Sequence, residues 1–103
     1  MTQITQEIKN ELKELVYDFI SEECEVEKAS LNDETNIIDD LDGDSLLLIE
    51  LVETLKKKYH INIQLQAVGK YLLKKPAETI GQVVNTAYLL YEHENNIVNL
   101  ILN

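Results

Sequence analysis

Apolar residues recur along this chain at steps of three and four, the spacing that gives a helix one buried face. Ile4, Ile8, Leu12, Leu15, Val16 and Phe19 form the first such stripe and predict a helix from about Gln3 to Ile20. From Leu46 to Tyr59 no Gly or Pro interrupts, and Leu48, Leu51, Val52, Leu55 and Tyr59 mark one face of a second helix. A short third helix around Ala67 to Leu73 would turn Val68, Tyr71 and Leu72 inward, with Pro76 marking its end. Thr79 and Gln82 have the spacing of a capping box for a last helix, whose inward face is Ile80, Val83, Val84, Ala87, Tyr88 and Tyr91. No strand-like alternation and no internal repeat is present. The expected fold class is therefore all-α, a four-helix bundle.

Two segments do not fit a minimal bundle. Residues 21–43 are longer than a usual helix junction, and loops of that length are functional or docked on the core. Ile37, Ile38 and Leu41 are the expected docking points. At the other end, residues 93–103 extend a core that spans about residues 4–92 of one expected domain. Ile97, Val98, Leu100, Ile101 and Leu102 are too apolar to sit freely in water, and Ile97, Leu100 and Ile101 share a helical face. Either a fifth short helix folds back after Glu92-His93-Glu94-Asn95-Asn96, or the last helix continues and projects its end toward a partner.

The mouth of the second helix carries the chemistry. Asp44 is a good N-cap type and Ser45 follows it in the first turn, behind the acidic run Asp39-Asp40-Leu41-Asp42-Gly43. Unpaired N–H groups and the positive end of the helix dipole would favour a phosphate esterified at Ser45 by about 0.3–1 kcal/mol.

Composition bounds the rest. With 103 residues, 45% of them hydrophobic, the chain is long enough for one modest core without metals or disulfides. Its single Cys24 has no internal partner, which fits a reducing compartment and a small residue ending the first helix. Neither a signal sequence nor a membrane-spanning run is read from the chain, so a cytoplasmic monomer is expected. Residues 1–55 hold 16 Asp and Glu against 3 Lys, a balance of −13, whereas residues 56–103 hold 3 Glu against 6 Lys, a balance of +3. The acidic field lies on the half that carries Ser45, where it repels nucleic acid and anionic membrane and steers basic protein partners.

Rival chemistries fail on spacing. An EF-hand register with Gly43 sixth puts Ile38 first and Ile49 twelfth, where carboxylates are required, so no metal site is expected. His60 lies at the far end of the helix from Ser45 and His93 in a polar tail, so neither is placed as a base for a hydrolase. Without a glycine-rich phosphate loop, paired metal ligands or any arginine, intrinsic catalysis is not expected.

Asp44-Ser45-Leu46 resembles the signature of the phosphopantetheine-dependent acyl carrier proteins, at the start of the second of their four helices. The resemblance extends over roughly residues 4–92. It takes in Thr35 to Leu41 as the approach loop, Leu46 to Leu55 as the second helix, Tyr59-His60-Ile61-Asn62-Ile63 as its exit and Thr79 to Val84 as the start of the last helix. It implies 4′-phosphopantetheine, donated by coenzyme A through a phosphopantetheinyl transferase, attached to Ser45 with Asp44 and Leu46 beside it. The arm would carry acyl groups as thioesters between acyl-loading and acyl-processing enzymes of fatty-acid, lipid or polyketide-type biosynthesis. Asp44, Leu46, Ile49 and Glu50 would face those partners, and Leu51, Leu55 and Tyr59 would line the interior that shelters an acyl chain. Leu47 stands where the family commonly has an acidic partner-facing residue, and Lys56-Lys57-Lys58 replaces a common acidic run, which suggests a dedicated pathway with its own partners. An aminoacyl or peptidyl carrier would use the same serine, and an unmodified helical interaction module would use the same apolar faces.

Overall fold

The computed structural model describes residues 4–43, 45–94 and 96–97. Four α-helices follow in chain order, α1 (Gln6–Glu23), α2 (Ser45–Tyr59), α3 (Leu65–Lys74) and α4 (Ile80–His93), with one 3-10 turn, Lys28–Ser30, in the long connection between α1 and α2. The all-α expectation holds.

The ends of the helices are set by local chemistry. Thr5 caps α1, its side chain accepting from the Ile8 N–H at 3.2 Å, so the helix starts at Gln6, later than the apolar stripe suggests. Its far end runs past the apolar stripe to Glu23, where Cys24 caps it and Glu25 turns left-handed at φ 54°. Thr79 and Gln82 form the full capping box at the start of α4: the Thr79 side chain accepts from the Gln82 N–H, and the Gln82 side chain accepts from the Thr79 N–H. The lysines Lys56, Lys57 and Lys58 sit in the last turn of α2, where positive charge meets the negative end of the helix dipole. Their presence has a structural cause independent of any partner.

The core joins all four helices and the connections. Leu12, Val16 and Ile20 enter it from α1, Leu51 and Leu55 from α2, Val68 and Tyr71 from α3, and Ile80, Val83, Val84, Ala87 and Leu90 from α4. Leu90 takes an interior place that periodicity had not marked, and the expected inward tyrosines are only part-buried. Tyr88 lies under the Lys9 ammonium, 5.6 Å from the ring centre, while Tyr91 packs edge-on against Tyr59 at 5.5 Å. Both rings sit part-buried against the core.

Residues 31–43 are docked, but not through all three predicted positions. Leu31 and Ile37 are buried, Leu41 is half-buried, and Ile38 is 56% exposed. The reason is local: the Asn36 side-chain oxygen accepts from both the Ile38 and Asp39 N–H groups at 2.9 Å, a turn that points Ile37 in and Ile38 out.

At the C-terminus, α4 breaks at Glu94 (φ 50°, ψ −132°), and Ile97 is fully buried. The chain therefore folds back there. Val98, Leu100, Ile101 and Leu102 lie outside the described residues, as does the expected cap Asp44.

Two tyrosines tie α1 to its neighbours. Tyr17 Oη donates to Asp33 Oδ1 at 2.5 Å and Tyr59 Oη to Glu11 Oε1 at 3.3 Å. Burial, then the bond to Asp33, pushes the Tyr17 hydroxyl up to about 12; burial, then the Glu11 charge, does the same to Tyr59. The fold thus favours the neutral phenol over the ordinary value of 10, so this stabilisation is complete below pH 10 and is lost as pH rises through 12. Urea midpoints measured across that window are expected to fall, and to fall less in Tyr17→Phe; equal slopes in both proteins would show that the Tyr17 proton is not linked to folding.

Candidate functional site

Ser45 is the first residue of α2. Its position is fixed by the loop before it, which is clamped to the start of α4. Asn36 and Thr79 form an isolated antiparallel bridge, with the Ile37 N–H donating to the Glu78 carbonyl at 2.8 Å and the Ile80 N–H to the Thr35 carbonyl at 3.0 Å. One step further, the Gly81 N–H donates to the Asp33 carbonyl at 2.9 Å. A side chain at residue 81 would meet that carbonyl at 3.0 Å, so glycine permits the approach.

From this clamp the loop closes on itself. Asp40 Oδ2 accepts from the Asn36 N–H, the Asp40 N–H donates to the Asn36 carbonyl, and the Gly43 N–H donates to the Ile37 carbonyl at 2.8 Å. Asp42 adopts a left-handed φ of 55°, tolerable for its short polar side chain. Gly43 then passes against Ile37 and Leu47 with no room for a Cβ. The chain is delivered to Ser45 by a closed ring of hydrogen bonds.

The start of α2 can take an anionic group. The helix is 15 residues long, no acidic residue occupies its first turn, and Leu46 beside Ser45 is 56% exposed. First-turn N–H groups lack intrahelical partners and meet the positive end of the dipole. His60 follows the last residue of α2, roughly 20 Å along the helix from Ser45 at 1.5 Å per residue.

Around this point the predicted partner residues separate. Leu46, Ile49 and Glu50 lie at i, i+3 and i+4 on the exposed face of α2. Leu47 does not join them. It is only 8% exposed and packs closely over Gly43, so the expectation that it faces partners is corrected: three consecutive leucines hide the helical phase, and the loop decides which turns inward. Exposed Ile38 was missed for the same reason, and only the turn-forming Asn36 hinted at it.

A shallow groove of about 360 Å³ runs beside Ser45, lined by Glu23, Cys24, Asp42, Leu46 and Glu50 with Leu47 below. Burial, then the Glu23 charge, pushes the Cys24 thiol up, which suits a packing residue and not a nucleophile. On the far side, α2, α3 and α4 enclose the buried Leu51 and Leu55.

These features coincide with a known family: the chain matches the phosphopantetheine attachment site over residues 14–85. It belongs to the phosphopantetheine-dependent acyl carrier proteins, whose covalent arm holds acyl groups as thioesters. It is 65% identical over 100 residues, 97% of this chain and 97% of the relative, to an acyl carrier protein homolog of Clostridium acetobutylicum. An acyl carrier protein of Picosynechococcus is 32% identical over 82 residues, 80% of this chain and 89% of its own. One from Cyanophora paradoxa is 35% identical over 60 residues, 58% of each.

Placing the family's common acidic residue at position 47 should damage the fold. Leu47→Glu is expected to lower unfolding free energy by about 2–4 kcal/mol, through lost apolar burial and a desolvated carboxylate. A melting temperature equal to that of the parent would show that Leu47 turns outward in solution.

Proposed function

We propose that Ser45 is the residue that takes the phosphopantetheine arm. The observation that carries this is its place at the first position of α2, on a turn held by the loop-to-α4 clamp. The neighbouring serines have other tasks. Ser21 Oγ, in the last turn of α1, donates to the Val26 carbonyl and Ser30 Oγ, in the long connection, to the Glu27 carbonyl, both at 2.6 Å.

On a transferase, the Ser45 oxygen would attack the pantetheine-side phosphorus of coenzyme A. A phosphoester bond forms, the bond to 3′,5′-ADP breaks, and the serine proton passes to the transferase's base. The new phosphate lies by the first-turn N–H groups of α2, a contribution of about 0.3–1 kcal/mol that orients the arm. The chain itself performs no chemistry on the acyl group in this reading; it presents a substrate. Tethering makes each delivery depend on one protein docking event.

Leu46, Ile49 and Glu50 form the contact face for the transferase and for acyl-loading and acyl-processing enzymes, with the acidic field of Glu23, Asp42 and Glu50 steering basic patches toward Ser45. The relatives' names favour an acyl over an aminoacyl cargo. Residues 93–97 belong with the same domain, because Ile97 is part of its core.

Incubation with coenzyme A and a broad-specificity transferase should add one phosphopantetheine by mass to the parent protein and none to Ser45→Ala, which should keep its helical circular dichroism. Modification of the alanine variant would remove Ser45 from the assignment.

Mixed salt should separate steering from contact. Glu50→Lys is expected to slow loading several-fold at low ionic strength and much less at 0.5 M salt, since charges at this surface act mainly on encounter. A defect that persists at high salt would make Glu50 a direct contact.

A further inference from the structure

The interior that an acyl chain would enter is closed in this structure. Between α2, α3 and α4 lies a void of about 20 Å³ with apolar walls that include Leu55, Val83 and Leu90. That is room for about one water and not for an alkyl chain. Directly outside, between α2 and α3, an apolar groove of about 290 Å³ runs over Ile49, Leu65 and Gly69. Leu48, Val68 and Leu72 line both spaces and form the wall between them. Because Val68 and Leu72 belong to α3, an outward movement of that helix would join the two.

α3 is the helix best placed to move. It buries only Val68 and Tyr71, against five side chains from α4. What restrains it is the segment that leads into it. After His60, left-handed at φ 54°, Ile61 and Ile63 are buried, and between them the Asn62 N–H donates to Glu94 Oε2 at 2.5 Å.

Glu94 is also where α4 ends, with its own N–H donating to the Leu90 carbonyl and a φ of 50° that L residues seldom adopt. Such a conformation persists only where the surroundings over-determine it. Here the carboxylate is bonded to Asn62 on one side, and three residues later Ile97 is fully buried on the other.

We propose that Glu94 and Ile97 together latch the α3 entry segment, which limits how far α3 swings and so decides whether the acyl group is drawn inside or left in the outer groove. Glu94 and Ile97 are positioning residues in this scheme. The gating of the acyl group rests on the carrier reading above, whereas the latch is a property of the unmodified protein.

Hydrogen exchange on the unmodified parent, Glu94→Gly and Ile97→Ala tests the latch first. Glycine takes up the Glu94 backbone conformation at lower cost, so that variant keeps the turn while losing the carboxylate. The Asn62 amide is expected to exchange about tenfold faster in Glu94→Gly, with Ile63 to Val68 following and α1 unchanged. Ile97→Ala should show the same pattern more strongly; if it fails to fold, Glu94→Gly alone decides. Unaltered exchange from Asn62 to Val68 in Glu94→Gly overturns the latch.

The second measurement is the rate at which hydroxylamine cleaves an octanoyl thioester on the loaded parent and Glu94→Gly. A several-fold slower cleavage in the variant is expected, because the freed α3 lets the chain withdraw. Equal cleavage beside faster exchange would leave a latch without a gating role and overturn that part of the proposal. If no variant accepts the arm, the carrier reading fails, and the exchange result still judges the latch.

Discussion

Three backbone hydrogen bonds between residues 33–37 and 78–81 hold the structure's working end in place. They join the long loop to the beginning of α4 at the point where the capping box already fixes the first turn of that helix. Through them the start of α2 is referenced to the most deeply buried helix and not to a free loop. Asp33 extends the junction to α1, since its side chain accepts from Tyr17 and pairs with Lys13 at 3.8 Å. A loop of this length would carry a large ordering cost if left in water; bonded to two helices and anchored by Leu31 and Ile37, it becomes part of the frame.

Much of this frame was legible from residue spacing. The four helices, the Thr79 and Gln82 capping box, and the inward Val68, Tyr71 and, only part-buried, Leu72 of α3 follow from period and capping chemistry alone. What failed was phase where neighbouring residues are equally apolar. Ile37 and Ile38 differ only in which side of an Asn36 turn they occupy, and Leu46 and Leu47 only in which of them meets Gly43. The first is set by the side-chain turn at Asn36 and the second by the packing of Gly43 over Leu47, and no hydrophobic period encodes either. The fold-back after α4 was one of two readings, and the side-chain bond from Glu94 to a residue 32 positions away favours it.

The charge pattern reads differently once the helices are in place. Lysines in the last turn of α2 complement its dipole, and Lys56 pairs with Glu53 at 3.9 Å. Lys28 is likewise absorbed, bonded to Glu14 and, at 2.9 Å, to Asp18. Such exposed pairs add little to stability, yet they remove positive charge from circulation. The carboxylates beside Ser45 are left to dominate the field there. An acidic surround is a poor place to bind a phosphate reversibly. If the arm is joined to Ser45 as proposed, it needs no binding affinity, and the surface around it is free to be shaped for partner encounter.

A carrier faces opposing demands on its core. Close packing around Leu12, Ile80 and Leu90 gives a chain of 103 residues its core, and cavities there would cost stability in proportion to their size. Sheltering a cargo requires space that is absent when no cargo is present. The two demands are reconciled if the expandable region is confined to one lightly held element, with α1, α2 and α4 left as an invariant frame. α3 has that character, because its Val68 and Leu72 line the boundary between void and groove and it buries only Val68 and Tyr71. Restraint placed on its entry segment, not within the core, can then tune opening without loosening the packing that keeps the remaining helices together.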